Sequence, residues 1–464
     1  MRGTVTDAAT NARVPGAFVE IVGTRYSTRS GEDGAFSIGR IPPGAYAMHV
    51  VRLGFAPATI AVQVDSGEAE VGVQVPLVAA PVPLAAVVVT PGFYGVMQPG
   101  ITAAHTLSRH QIETAPQLGE DVYRSIARLP GVATNDMSAR FNVRGGTGDE
   151  LYATLDGLEL DEPFHLKDID AALSILDVNS IAGVELSTGG FSAEYGNRLT
   201  GVLTMHSIEP RTDRTRHALA LSILNARYTG QGGRADGRVG WYLSARRGYL
   251  DLALRLVQSS DSIDPTYYDV FGKVYYDLPR YGRVALHALR AGDHLNYFDG
   301  PQDHLLSTYG TTYLWGTWEG TPTRRLRQRT VASLADLRWH RGGDIHERGG
   351  RQTMFLDDER TYAAASLRQD WQIDLSPSAL LKAGFETKSM RSDYAYDSWI
   401  LRQSVQGGAV VERFDTVSAA TSPDGSLIGG YVSQRVRFAP TLIAEAGVRY
   451  DNASYRKTAT SRRV

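Results

Sequence analysis

The sequence predicts a mostly β protein in three parts: a small N-terminal β-sandwich, an α+β domain, and a partial antiparallel transmembrane β-barrel, about half of a 22-stranded one. Three observations lead there. Residues 1–80 hold short strand-like runs separated by turn residues. Residues 129–161 and 181–209 are Gly-rich, with short strands and well-placed turns. Beyond residue 208 come about 250 residues in which apolar and polar positions alternate, the period of a strand with one greasy and one wet face.

Composition sets the bounds. At 464 residues the chain is too long for one ordinary core, so two or three domains are expected. Lys and Arg number 48 against 50 Asp and Glu, a near balance that offers no field to nucleic acid or to an anionic membrane surface. The absence of cysteine excludes disulfides and thiolate metal sites. No apolar run approaches the roughly 18 residues of a membrane helix, and a β-barrel needs none, because only alternate residues face lipid. Met1-Arg2 leads straight into a strand, so an export leader is expected to be missing at this end. The polar, basic Thr458–Val464 breaks off just after a strong strand, which predicts C-terminal truncation.

In residues 1–80, strands are expected at Ala17–Val22, Phe36–Ile38, Tyr46–Val51, Ala58–Val64 and Val71–Val78. Asp33-Gly34 is a hairpin signal and Pro42-Pro43-Gly44 a second turn. The phrases GTVTDAATNARVPGAFVEI and DGAFSIGRIPPGAYAMHVVRLGF resemble the carboxypeptidase regulatory-like domain, a non-catalytic sandwich. Residues 81–92 form a linker in which prolines bracket a β-branched run. Such an extended segment with free backbone edges can add to a partner sheet, or it closes the preceding sandwich as its last strand.

Residues 93–208 form a compact unit. Ser108 is placed to cap a short helix, and a second helix is expected over about 118–128, with Val122, Ile126 and Leu129 on one face. Strands are expected at Phe141–Arg144, Leu151–Leu155, Gly183–Ser187 and Val202–His206, with Asp156-Gly157 turning between Leu155 and Leu158. Four pieces, PGV at 130–132, VRGG at 143–146, LDGLEL at 155–160 and VELSTGGFSAEYGNRLTGVL at 184–203, resemble the plug of TonB-dependent outer-membrane receptors. With the N-terminal sandwich, the resemblance is to the Bacteroidetes-type subset. It implies plug-motif roles for Arg144, Gly145, Gly146, Asp156, Gly157, Glu185, Gly189, Gly190, Tyr195 and Gly196, and a TonB box at Val87, Val88, Val89 and Thr90. Arg144 and Glu185, if buried in a lumen, are expected to be paired and to dock the plug, because isolated buried charges are costly.

Residues 209–464 read as the N-terminal half of a barrel, with about eleven strands. The alternation is clearest where Leu442, Ala444, Ala446, Val448 and Tyr450 oppose Ile443, Glu445, Gly447, Arg449 and Asp451. It recurs where Val284, Leu286 and Ala288 oppose Arg283 and His287, and where Leu367, Trp371 and Ile373 oppose Arg368, Asp370 and Asp374. Around residue 382 it blurs, because Lys382 shares its face with Leu380. Short connections are expected at Pro279–Gly282, Thr321–Arg324, Ser376–Pro377 and Ala439–Pro440. Long loops are expected at about 248–266, 293–310, 341–360 and 391–426, and are assigned to the cell exterior.

No P-loop, GxSxG or HExxH motif occurs, and nothing argues for an enzyme, a cofactor or a metal centre. His294 and His304 lie near Asp293, Asp299 and Asp303 in one predicted loop, where a solvated loop tip outweighs a metal site. Tyr297, Phe298, His294 and His304 in that loop, and Phe164 and His165 in the plug, are the candidate ligand contacts. For Phe164 and His165 a turn packed on the barrel wall is the favoured alternative. Arg246-Arg247 ends a strand and is assigned no chemistry.

The resemblance implies a transporter in the outer membrane that imports a bulky ligand, an iron chelate or an oligosaccharide for example. Its partners would be TonB with ExbB and ExbD, outer-membrane lipid, an unidentified ligand and, in the glycan-importing branch, a surface lipoprotein. The rival reading is a secreted or surface β-rich binding protein without transport, which would be soluble without detergent.

Overall fold

The computed structural model describes residues 1–22, 24, 26–39, 41–52, 55–65, 72–78, 104–115, 120–135, 138–196, 200–252, 263–297, 304–346, 352–406, 409–439, 442–456 and 459–460. The linker, with Val87–Thr90, and Phe298 lie outside them. The chain divides into two units, residues 1–98 and 99–464.

In the first unit, β1 (Arg2–Asp7), β4 (Ala35–Ser37) and β7 (Gly72–Leu77) make one sheet, ordered β4-β1-β7. Strands β2 (Phe18–Ile21), β3 (Ser27–Arg29), β5 (Gly44–Val51) and β6 (Ala58–Val64) make another, ordered β3-β2-β5-β6. Alternate residues of both sheets, among them Val5, Val19, Ile21, Met48, Val50, Val75 and Leu77, are buried in one apolar cluster. Asp33-Gly34 does form a turn, with Gly34 at φ +71°, but it is not a hairpin turn. It joins β3 to β4, which lie in different sheets, so it acts as a corner of the sandwich.

The second unit begins with the plug. Its sheet runs β12-β11-β16-β15-β8, built from β8 (Ala104–Ser108), β11 (Leu151–Leu155), β12 (Leu158–Glu159), β15 (Ile181–Ser187) and β16 (Gly201–Ser207). Two small hairpins accompany it, β9 (Val132–Thr134) with β10 (Phe141–Val143), and β13 (Phe164–His165) with β14 (Leu173–Ser174). Helix α1 (Arg109–Thr114) starts where Ser108 and Gln111 form a reciprocal capping box. Helix α2 covers only Val122–Ile126, shorter than the expected 118–128. Asp121 sets its start, because the carboxylate accepts from Tyr123 N at 2.8 Å and Arg124 N at 3.2 Å.

The wall is a continuous antiparallel ribbon of β17 (Arg216–Leu221), β18 (Asn225–Gly233), β19 (Val239–Gly248), β20 (Ile263–Leu278), β21 (Gly282–Tyr297), β22 (His304–Thr323), β23 (Leu326–His346), β24 (Gln352–Ser376) and β25 (Ala379–Gln406). The last splits its partners. Residues 379–391 pair with β27 (Asp424–Ala439), which carries β28 (Leu442–Arg456), whereas residues 394–406 pair with β26 (Ala409–Thr421), next to β29 (Ala459–Thr460). Much of the expected loops at 293–310, 341–360 and 391–426 is therefore strand. The physical reason is that the ladders run on beyond the lipid-facing band. There both faces are wet, so the apolar alternation that marks a strand in sequence disappears while backbone pairing continues.

Within the band the alternation sorts inside from outside. On β20, Tyr267, Asp269, Phe271, Lys273 and Tyr275 are buried, while Tyr268, Val270, Val274 and Tyr276 are exposed. Leu286, Leu314, Leu334, Leu367 and Phe385 continue the exposed apolar face across the neighbouring strands. Lys382 and Leu380 are both buried on the inner face, which resolves the blur in the sequence. Polar residues inside and apolar residues outside is the arrangement of a membrane barrel, the reverse of a soluble sandwich.

Candidate functional site

Buried charge defines the site. Beside the buried pairing of Arg227 with Asp177 at 2.7 Å, four clusters hold the plug to the wall, each pairing plug groups with inward residues of the strands. In the first, the plug residue His165 is completely buried between two wall carboxylates, with Nδ1 2.7 Å from Asp293 and Nε2 3.2 Å from Asp269. Its ring packs on Tyr267 at 4.6 Å. Arg246 binds Asp269 at 2.7 Å and donates to the Ser174 carbonyl at 2.8 Å, while the Ser174 amide donates to Asp121. One network thus joins the cap of α2, both strands of the β13–β14 hairpin and three wall strands. Burial opposes charge on His165, but Asp293 and Asp269 outweigh it and hold its pKa above the ordinary value.

The second cluster surrounds the Asp156-Gly157 turn. Asp156 sits at φ +48° and Gly157 at φ +90°. A Cβ on Gly157 would lie 2.9 Å from Val331 Cγ2 of the wall, so this turn is pressed against β23. The Asp156 carboxylate accepts from the Ser207 amide at 3.0 Å and from its hydroxyl, and lies 3.4 Å from His287 Nε2. Burial alone would raise its pKa, but His287, Lys273 and Ser207 drive it well below the ordinary carboxylate range. Lys273 donates to Ser207 Oγ at 3.1 Å and Glu209 at 2.8 Å, where the plug passes into the wall.

The other two clusters are simpler. Lys388 reaches Glu159 at 3.0 Å and Asp161 at 3.2 Å. Lys382 pairs with Glu194 at 3.1 Å, both side chains being 3 % exposed, and Arg449 donates to the Glu194 carbonyl at 3.1 Å. Tyr195, next in the chain, lies 5.9 Å beneath the Arg368 guanidinium, and a Cβ on Gly196 would collide with Arg449.

The remaining motif residues serve the plug's own turns. Arg144 (φ +50°) and Gly145 (φ +80°) form the turn after β10, and Gly146 passes against Thr200 so closely that a Cβ would meet Thr200 Cγ2 at 1.9 Å. Gly189 lies under the Arg144 guanidinium, and Gly190 has φ +66°. The expectation of buried docking charges at Arg144 and Glu185 is not met. Arg144 is exposed, and Glu185 is half-buried on β15, where burial and then Glu194 raise its pKa. Among the described residues neither pairs with a wall carboxylate or cation. Docking falls instead to inward wall residues, of which Arg246 was assigned no role. The available signal was a Lys, Arg or Asp at the inward parity of a strand.

Among the candidate ligand contacts, His165 has no solvent-facing surface, and Phe164 packs edge-on against Tyr123 at 5.2 Å under Arg140. His294 and Tyr297 end β21 and His304 begins β22, so they belong to strands rather than to a loop. Asp293, read with them, is buried against His165. Among the described residues no group of three or more His, Asp or Glu side chains is placed to hold a metal ion.

A cavity of about 420 Å³ lies between the plug and the wall, toward the extended hairpins. Its lining includes the plug's Lys167 and the wall's Tyr309, Trp339, Arg360, Tyr362 and Tyr394. Tyr309 and Trp339 stack at 5.3 Å, and Arg360 lies 3.8 Å over Trp339.

Comparison with known proteins agrees with this anatomy. Residues 1–78 match the carboxypeptidase regulatory-like domain, and residues 100–202 match the TonB-dependent receptor plug domain. No curated protein matches the chain. Among solved structures, it is similar to the outer membrane transporter YddB from Escherichia coli (TM-score 0.54, 14 % identity, covering 78 % of this chain and 59 % of that one). It is also similar to the ferric citrate transporter FecA in its unliganded form (TM-score 0.52, 13 % identity, 78 % and 57 %). A third is P. aeruginosa FpvA bound to heterologous pyoverdines (TM-score 0.51, 11 % identity, 78 % and 53 %). The chain spans a little over half the length of these structures, and at such identities the likeness concerns the fold. The chain thus carries a TonB-dependent receptor plug domain, preceded in sequence by a carboxypeptidase regulatory-like domain and docked on a wall with the fold of TonB-dependent outer-membrane receptors, which are transporters rather than enzymes.

Proposed function

We propose that this chain forms the plug and part of the barrel of an outer-membrane transporter that imports a bulky ligand with energy delivered by TonB. The observation that carries this reading is a plug domain fastened by buried ion pairs to a wall that is apolar outside and charged inside. A secreted binding protein would have no use for exposed Leu286, Leu314, Leu334 and Leu367 on one continuous face. In the proposed orientation the short connections and the N-terminal domain face the periplasm, and the extended hairpins face the exterior. Ligand captured from outside shifts the plug toward a state in which Val87–Thr90 pairs as a strand with TonB, which acts with ExbB and ExbD. A surface lipoprotein partner enters only if the ligand is a glycan.

The test is Val88→Pro in the producing cell. Proline removes the backbone donor that strand addition needs. Uptake is expected to vanish while surface binding persists; uptake that continues unchanged overturns the TonB-box assignment.

A further inference from the structure

The chain is nearly balanced in charge as a whole, but not at the short-turn end of the wall. Three successive turns there, joining β18 to β19, β20 to β21 and β22 to β23, carry Arg238, Arg280, Arg324 and Arg325, all exposed. Among the described residues none of the four pairs with a carboxylate. The carboxylates of these turns and of the strand ends beside them already hold other cations. Asp236 pairs with Arg234 at 3.3 Å, Asp277 with Arg283 at 2.6 Å, Glu319 with Arg329 at 3.2 Å and Asp374 with Arg327 at 3.1 Å. Thr212 lies against the first turn, and its neighbour Asp213 holds Arg216 at 3.0 Å, while Glu209 holds Lys273 and Arg283. The four turn arginines are therefore uncompensated. By contrast, Arg338, Arg391 and Arg413 on the extended hairpins each hold an aspartate two residues away.

The same turns border the lipid-facing side. Tyr276, Tyr281 and Trp318 are exposed there, on the face that carries Leu286 and Leu314. Tyr281 follows Arg280 in the chain, and Trp318 Nε1 donates to its carbonyl at 2.9 Å. Tyr and Trp, apolar in body and polar at the tip, settle where lipid meets water, which puts the arginines at headgroup depth. The hairpin tips stand two strands apart, roughly 10 Å, so the charges form a row along the rim. A guanidinium matches phosphate through parallel N–H donors.

We infer that Arg238, Arg280, Arg324 and Arg325 form a binding row for the phosphate headgroups of anionic phospholipids. A zwitterionic headgroup carries its own cation beside the phosphate, so the row discriminates by net charge as well as by geometry. The inference rests on the wall being a membrane wall and is independent of transport.

Electron spin resonance of the chain in phosphatidylcholine vesicles, with spin-labelled phosphatidylglycerol or phosphatidylcholine as the probe, tests it. The glycerol lipid is expected to be retained at the protein about fivefold more strongly, the worth of one surface arginine. Replacing all four arginines by Gln should erase that preference, and replacing all four by Lys should keep most of it. Arg247→Gln with Arg290→Gln, two exposed arginines toward the opposite end, should leave it intact. Equal retention of the two lipids by wild-type protein, or a preference that survives the fourfold Gln variant, overturns the headgroup site. Loss in the Arg247 and Arg290 variant places the selectivity elsewhere and overturns it too. Inorganic phosphate added at constant ionic strength should not displace the lipid; displacement would assign the row to free anions. Equal but firm retention of both lipids would leave the membrane wall standing, whereas no retained lipid of either kind would reject the wall itself.

Discussion

His165 of the plug and Asp293 of the wall, 128 positions apart in the chain, meet at 2.7 Å with both side chains out of solvent. With Asp269 on its other nitrogen, the imidazole when protonated donates to both carboxylates, and Arg246 supplies a second positive charge. Removing the imidazole leaves two buried carboxylates facing one guanidinium. His165→Leu is expected to cost about 3–5 kcal/mol of plug docking. Limited proteolysis within residues 162–174 should accelerate accordingly, and an unchanged cleavage rate would show that this contact does not hold the plug.

The same pair makes docking dependent on pH. The folded pKa of His165 lies above the unfolded value of about 6.5. Its contribution is therefore complete below that unfolded value and is lost as pH rises through the folded pKa. A spin label on the β13–β14 hairpin should report tighter immobilisation at mildly acid than at alkaline pH. His165→Gln should flatten the profile; a variant that keeps it would assign the titration to another group.

Asp156 behaves in the opposite sense. Its folded pKa is depressed, so its contribution is present above the unfolded carboxylate value of about 3.9 and is lost as pH falls through the folded pKa. Asn tolerates φ +48° and retains an acceptor for the Ser207 amide, whereas Ala offers neither advantage. Asp156→Ala is expected to lower the free energy of unfolding more than Asp156→Asn, by about 1–3 kcal/mol in excess, read from thermal melts. Equal effects would mean that the turn contributes no specific bond.

The Lys382–Glu194 pair offers a test by double substitution. Lys382→Met alone leaves a buried carboxylate and should destabilise by about 3–5 kcal/mol, whereas Lys382→Met with Glu194→Leu should recover much of the loss. Additive losses in a thermodynamic cycle would show that the two charges are not coupled.

The outward face is checked by charge. Leu334→Arg places a guanidinium on the apolar side of β23 and is expected to cost about 2–4 kcal/mol of membrane folding if Leu334 lies near mid-bilayer. Ser333→Ala, one residue away on the inner face, should cost far less. Equal yields of heat-modifiable folded protein in lipid vesicles would contradict the assignment of faces.

Sequence alone determined what depends on neighbours along the chain. The capping box of Ser108 and Gln111, the Asp156-Gly157 turn and the inward or outward parity of Leu286 and His287 are local consequences of backbone geometry and side-chain period. Where period and lipid no longer constrain each other, as in residues 391–421, the strands could not be read. Only the tertiary structure decided which charges meet. Arg246 carries no assigned chemistry in the sequence and Arg144 is expected to dock the plug, yet the first is sealed into the His165 cluster and the second lies on an exposed turn. A buried charge needs a partner, but pairing across 100 or more residues is set by how the plug sheet seats against the wall, which no window of sequence contains.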